Sequence, residues 1–195
     1  MASIDRLLRA NRTVLFVPVV DIGDVATLVG ATGATCPFDE PTSAVLDSWR
    51  TVTGTAASAS SHGGNVSGAI TDDMDLGLAA SDTDNELVLT SIGNEVAPTF
   101  KNVDATFTGM RDKNKGDAGV YNLFTSLVVA ADVRFVAVDR IGYPASTAFA
   151  AGQVVDLYEL VTDVPLDQKG DRSNLKIQQA PSPTGNVLSQ TTLAS

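Results

Sequence analysis

One cysteine, one histidine and one tryptophan stand among 195 residues, and no lysine or arginine occurs between Thr51 and Phe100. A lone Cys36 forbids an internal disulfide and any cysteine-based metal site. It fits a reducing folding compartment. The only imidazole, His62, lies in the small-residue stretch "ASASSHGGN". A general base must be held within hydrogen-bond reach and oriented by a third group, and such a loop holds it poorly. The chain has no Walker loop, dinucleotide fingerprint or metalloprotease helix. Hydrophobic runs are short as well. "VLFVPVV" follows Arg6, Arg9 and Arg12 and looks superficially like a signal peptide. It contains Pro18, stops at Asp21 and lacks a convincing cleavage site, so we expect neither ordinary export nor a membrane span. The "NRT" at Asn11 and "NVS" at Asn65 match a glycosylation pattern that means little without export.

Basic charge is the other scarcity. Thirteen Lys or Arg face 23 Asp or Glu, for a formal net charge of −10 and a pI near 4.3. Nucleic-acid binders need a cationic stripe to neutralise phosphates, so this chain repels DNA on average. The cation-free stretch contains Asp72, Asp73, Asp75, Asp82, Asp84, Glu86 and Glu95, which predicts one strongly acidic, solvated surface. Asp82, Asp84 and Glu86 have the spacing of a calcium loop, but Leu87 replaces the turn glycine and Gly93 the bidentate glutamate. The "DDMD" cluster retains at most loose affinity for hard cations. Carboxylate pairs for glycoside hydrolysis are a three-dimensional quantity, and the many aspartates make some pair inevitable. We therefore expect no catalytic residue, no metal site and no cofactor. Trp49 in "LDSWR" reads as a packing or interface anchor rather than a sugar platform.

What is present is 44% hydrophobic residues, enough for a core. Most of them fall in short alternating runs. "RTVLFVPVV" is β-rich, with Pro18 confining it to an edge or a bulge. "TSAVLDSW" suits a short helix capped by Thr42 or Ser43. "VSGAI" and "DLGLAA" read as two strands joined at Asp72-Asp73, and "SDTDNELVLTSIG" is open between strand and helix. In "TFKNVDATFTGM", Val103, Ala105 and Phe107 alternate with Asp104, Thr106 and Thr108. Val120, Phe124, Leu127 and Val128 form one apolar stripe, predicting a helix over about 118–130, capped by Asp117 and lying flat on a sheet. "VRFVAV" reads as a buried strand, "VVDLYELV" as one alternating at Asp156 and Glu159, and "NLKIQQ" as the last. The expected organisation is an N-terminal arm over 1–12, a β domain over 13–179 with a flexible loop at 53–65, and a polar C-terminal arm over 180–195. Short strands around one helix predict a mainly β sandwich or barrel with a helix on one face.

The stretch "SDTDNELVLTSIGNEVAPTFKNVDATFTGMRD" (81–112) resembles major tail tube proteins of long-tailed, siphovirus-like bacteriophages, especially those of actinobacteria. The shared residues include Ser81, Asp82, Thr83, Asp84, Gly93, Asn94, Pro98, Thr99, Phe100, Asn102, Asp104, Ala105, Arg111 and Asp112. "EPTSAVLDSW" and "VDRIGYPASTAFAAGQVVDLYELVTDVPLD" extend the likeness, in family order, over most of 40–165. Val45 and Leu46 stand where the family often has an acidic residue, and the small-residue loop at 53–65 is untypical.

The resemblance implies a tail-tube β-sandwich or barrel with a flanking helix, without enzymatic activity. It implies hexameric rings that stack into a tube around a tape-measure protein. The tail terminator and tail-tip or baseplate proteins are its further partners. On this reading the subunits assemble in the host cytoplasm, reside in the virion tail and conduct DNA without binding it specifically. Six copies at −10 each give −60 per ring, and the acidic set at 72–95 is expected to face the lumen. The arms and the 53–65 loop are expected to connect rings and to order on assembly. The alternative is a capsid-decoration or tail-fibre-associated module that binds a preformed lattice. An aspartate-based hydrolase is a third class without a positioned base.

Overall fold

The computed structural model describes residues 11–18, 42–52, 63–80, 83–84, 97–98, 102–114, 118–168 and 175–195. Thirteen elements follow in order: β1 (Arg12–Pro18), α1 (Ser43–Arg50), β2 (Gly64–Asn65), β3 (Asp75–Leu78), β4 (Thr83–Asp84), β5 (Ala97–Pro98), β6 (Val103–Met110), α2 (Val120–Val128), β7 (Arg134–Ile141), β8 (Val154–Val161), β9 (Leu166–Gln168), β10 (Lys176–Gln179) and β11 (Ser182–Thr192). They build a five-stranded sheet in the order β11-β8-β7-β1-β2, a four-stranded sheet β3-β6-β10-β9, and the small pair β4-β5. All strand pairs in these sheets are antiparallel. The mainly β sandwich is therefore observed.

The near-continuous apolar runs of β1 and β7 have a simple cause: their sheet is buried on both faces. Val14, Phe16, Phe135, Ala137, Tyr158 and Leu160 point into a core shared with the four-stranded sheet and α2. The alternate residues Leu15, Val17, Val136, Val138, Val155 and Leu157 enter a second core closed by Leu46 of α1, Phe149 and Leu193. A sheet covered on both sides cannot alternate between apolar and polar. Phe16 anchors the first core. Its ring meets Phe107 edge-on at 4.7 Å and lies 4.9 Å from Phe135 and 6.1 Å from Phe124.

Both helices read from the sequence are present, α1 as a short helix and α2 as the one flanking the sheet. The shorter one, α1, starts after Thr42 without a side-chain cap, and its N-terminal amide from Ser43 donates instead to the Ala194 carbonyl. In α2, Leu123, Phe124 and Val128 are fully buried and Val120 is half-buried; the Leu127 side chain and Asp117 lie outside the described residues. The helix approaches β6 where Gly109 leaves room, since a Cβ there would sit 2.1 Å from the Phe124 ring. Its C-terminal end is held by Gln179, whose fully buried amide donates to the carbonyls of Val128 (3.0 Å) and Asp163 (2.7 Å).

Three further expectations change. "VSGAI" is not a strand: Asn65 Oδ1 accepts from Ser67 N at 3.2 Å and from the Ser67 hydroxyl at 2.7 Å, closing a side-chain turn that ends β2. Ile70 keeps only a single bridge to Gly109. Glu159 of β8 is not on a wet face but fully buried. The polar stretch after Ala180 is not a loose tail; Ser182–Thr192 is the longest strand and pairs with β8. "NLKIQQ" is thus the penultimate strand. Pro18 closes β1 beyond the two residues that pair with β2, where its missing amide costs no ladder bond on that side.

Candidate assembly surfaces

The residues available for function are those the two cores leave outside. On β6, Val103, Ala105 and Phe107 point inward, so Asp104, Thr106, Thr108 and Met110 point away from the core. Strand register carries this outer face across the sheet. Asp75 and Gly77 of β3 flank Thr106 and Asp104, while Lys176 and Gln178 of β10 flank Met110 and Thr108. Gln168 and Leu166 of β9 complete it. Asp75, Asp104, Leu166 and Gln168 are exposed, Thr106, Met110, Lys176 and Gln178 are half-buried, and Thr108 is buried, so the face is open mainly toward β3 and β9.

Of the predicted acidic set, Asp72, Asp73 and Asp75 are exposed and lie together beside β6. Thr71 fixes their turn: its amide donates to the Thr108 carbonyl at 2.7 Å, and its hydroxyl reaches both that carbonyl and the Asp73 carboxylate. Asp82, Glu86 and Glu95 lie outside the described residues, as do His62 and Cys36, and of Asp84 only the backbone in β4 is described. Asp104 lies exposed on the same face and adds a carboxylate outside the predicted acidic set. The alternation of β6 was the signal that placed it.

Sheet edges differ in kind. The four-stranded sheet ends in β3 and β9, whose residues pair in unbroken register over Asp75–Leu78 and Leu166–Gln168. At one end of the five-stranded sheet, the Val52 carbonyl takes the Asn65 amide at 2.7 Å and lies 2.5 Å from where a Gly64 Cβ would be. The chain leaving α1 therefore covers β2. At the other end, β11 is interrupted twice.

Buried charges organise the framework between these surfaces. Arg140 is fully buried, and among the described residues its guanidinium bonds to carbonyls, an amide oxygen and a hydroxyl rather than to a carboxylate. It donates to the carbonyls of Thr147 (2.7 Å), Ala148 (3.0 Å) and Pro144 (3.3 Å), to Gln153 Oε1 (2.9 Å) and to the Thr13 hydroxyl (3.0 Å). Phe149 stacks on it at 3.9 Å. Burial, then the Arg50 charge, pulls its pKa below the usual guanidinium value. The "RIG…TAFAAGQ" stretch is thus a loop wrapped around one arginine, with left-handed Gly142 and Gly152 at its bends.

Asp139 is 2% exposed and receives both Nε and Nη2 of Arg12 at 2.7 Å. Burial pushes its carboxyl above the ordinary range, opposed by Arg12. Tyr158 is pushed up to about 12 by burial, helped by Asp156 and Asp139. Asp47 is held below the usual value by its bond from Arg50, and its Oδ1 also accepts the Phe149 amide at 3.0 Å. Two open clefts lie among the described residues: one of about 190 Å³ beside Arg12, Thr71 and Asp72, and one of about 570 Å³ beside Arg50, Asn65 and Val120. Among the described residues no cluster of His, Cys, Asp or Glu can hold a metal ion, and no helix is long and apolar enough to cross a membrane.

The fold defines a class of mainly β antiparallel sandwich proteins whose smaller sheet ends in two regularly paired strands. Residues 42–195 match the phage tail tube protein family, and the chain belongs to it. It is accordingly a structural component of a bacteriophage tail, from a family that is structural rather than enzymatic and whose members assemble into a tube. No curated relative matches the chain.

Proposed function

We propose that copies of this chain close head to tail into a hexameric ring through β3 and β9. The rings stack, and the open face of the four-stranded sheet lines the channel that DNA traverses. The observation that carries this reading is strand direction. Antiparallel pairing runs from β3 to β6, to β10, to β9, so the two end strands point in opposite directions. A β9 laid beside the β3 of the next copy continues the antiparallel alternation without a break. An even number of strands per copy lets a closed barrel form from identical units, which removes both edges of the four-stranded sheet.

The same closure turns the face carrying Asp75 and Asp104 into a continuous wall, with Asp72 and Asp73 at each joint between copies. The face also carries Lys176, so per copy its described charges are the carboxylates Asp75 and Asp104 against one ammonium, with Asp72 and Asp73 beside them. A net acidic wall suits DNA passage, because an excess of cations repeated at every ring would bind phosphates and sum weak contacts into a trap. The tape-measure, terminator and tail-tip proteins remain the partners this reading requires.

A double variant, Gly77→Cys with Gln168→Cys, tests the joint. A Cβ at Gly77 meets nothing within 4 Å, and Gln168 is exposed, so both changes leave the fold intact. Under tube-forming conditions a short thiol cross-linker should give a denaturant-resistant ladder of oligomers absent from either single variant. Tubes without that ladder would reject the joint.

A further inference from the structure

The β8 residues that oppose the two breaks in β11 are both acids. Pro183 pairs with Leu160 and Val187 with Tyr158, so residues 184–186 together face Glu159 alone. Leu188 pairs with Leu157 and Thr191 with Val155, so Ser189 and Gln190 face Asp156 alone. Each acid grips the surplus chain opposite it. Fully buried Glu159 accepts from the Thr184 hydroxyl at 3.0 Å and from the Asn186 amide, and it pairs with Arg134 on β7. Asp156 Oδ1 accepts the Gln190 amide at 2.6 Å. Backbone in the left-handed region marks both places, with φ of 94° at Gly185 and 53° at Gln190. A non-glycine residue there is uncommon and has to be held.

We propose that these two carboxylates keep the β11 edge closed to strand addition and thereby confine self-association to the ends of the four-stranded sheet. A joining strand needs a straight row of outward amides, and bulges on an edge strand remove it. Regular pairing along β11 comes only in runs of two residues, Ser182–Pro183, Val187–Leu188 and Thr191–Thr192, and Pro183 has no amide hydrogen. The five-stranded sheet already lies under Val52 at its other end. Without the three surplus residues it would offer a straight edge matching the 8 residues of β8, longer than either β3 or β9, and the chain would have two competing ways to polymerise. The second clause of the proposal rests on the β3–β9 reading above; the closure of β11 does not.

The experiment has two arms. In the first, residues 184–185 and Gln190 are deleted, which straightens β11 while leaving every other residue opposite its present partner. The folded variant, checked by circular dichroism and thermal melting, should sediment as irregular or laterally fused aggregate to a several-fold greater extent than the parent. Electron microscopy should show the parent as uniform particles. A folded variant with the parent's particles and sedimentation overturns the proposal.

The second arm keeps β11 intact and does not depend on the deletion folding. Ser189→Cys, exposed on that edge, should give no Ser189-position link between copies when oxidised and mapped by mass spectrometry. Abundant linkage there overturns the closure. Failure of the β3–β9 joint shows separately, in the Gly77→Cys, Gln168→Cys ladder.

Discussion

The two sheets of this molecule share antiparallel pairing and are finished in opposite ways. The five-stranded sheet is covered on one face by the four-stranded sheet and α2, and on the other by α1, the 142–153 loop and Leu193. Val52 covers one of its ends and two gripped bulges interrupt the other. The four-stranded sheet buries one face, leaves most of the other exposed or half-buried, and pairs its end strands in unbroken register. One sheet is the frame and the other is the working surface. The difference teaches that assembly is directed as much by what closes the first sheet as by what the second leaves open.

Substitutions in the frame should cost the most. Replacing Arg140 with alanine leaves a hydroxyl, an amide oxygen and three loop carbonyls without their shared donor. Unsatisfied buried groups cost about 1–3 kcal/mol each, so a loss of at least about 3 kcal/mol is expected in urea unfolding. Arg140→Lys should recover little of it, because one ammonium cannot span the fork. Phe124→Ala empties the contact between α2, Phe16 and Gly109 and should cost about 3–5 kcal/mol. The complementary change, Gly109→Ala, drives a methyl into that ring and should cost about 1–3 kcal/mol.

The Arg12–Asp139 pair gives a pH-dependent test of the same frame. Arg12→Ala leaves a buried carboxylate without its partner, a cost of up to about 3 kcal/mol. A carboxyl whose folded pKa lies above its unfolded one destabilises the fold at high pH, and that cost disappears as pH falls through the folded value. Since burial raises Asp139, the deficit of Arg12→Ala should be greatest near neutrality and shrink on mild acidification. Asp139→Asn should remove the pH dependence of that deficit. Denaturation midpoints of both variants across this range check the sign. An Arg12→Ala deficit that grew on acidification would place the stabilising charge elsewhere.

Substitutions on the working surface should barely move stability. Asp75→Lys and Asp104→Lys sit on exposed positions and should stay within about 0.5 kcal/mol of the parent. Their effect should appear in assembled tubes, as salt-sensitive retention of DNA that the parent lacks. Equal retention by parent and variants would remove these carboxylates from the channel wall.

The frame was partly legible in the sequence. Runs such as "VRFVAV" and "TFKNVDATFTGM" announce strands because burial on two faces or one sets their pattern directly. The α2 stripe is equally plain, though Leu123, fully buried, belongs to it as well. β11 was hidden for physical reasons: as an exposed end strand it is mostly polar, and its surplus residues break the period of two on which strand reading depends. Buried charges were hidden too, since their partners are remote. Arg12 meets Asp139 across 127 positions, and Glu159 meets Asn186 across 27. Family likeness located the "RIG…TAFAAGQ" element, but only the geometry shows that its arginine is the loop's internal scaffold.

Electron cryo-microscopy of tubes assembled from the full chain addresses the central claim directly. The account predicts β9 of each copy hydrogen-bonded to β3 of its neighbour, six times around, with Asp75 and Asp104 on the inner wall and β11 unpaired along its outer edge. Tubes whose copies meet through β11, or whose bore is lined by the five-stranded sheet, would contradict it.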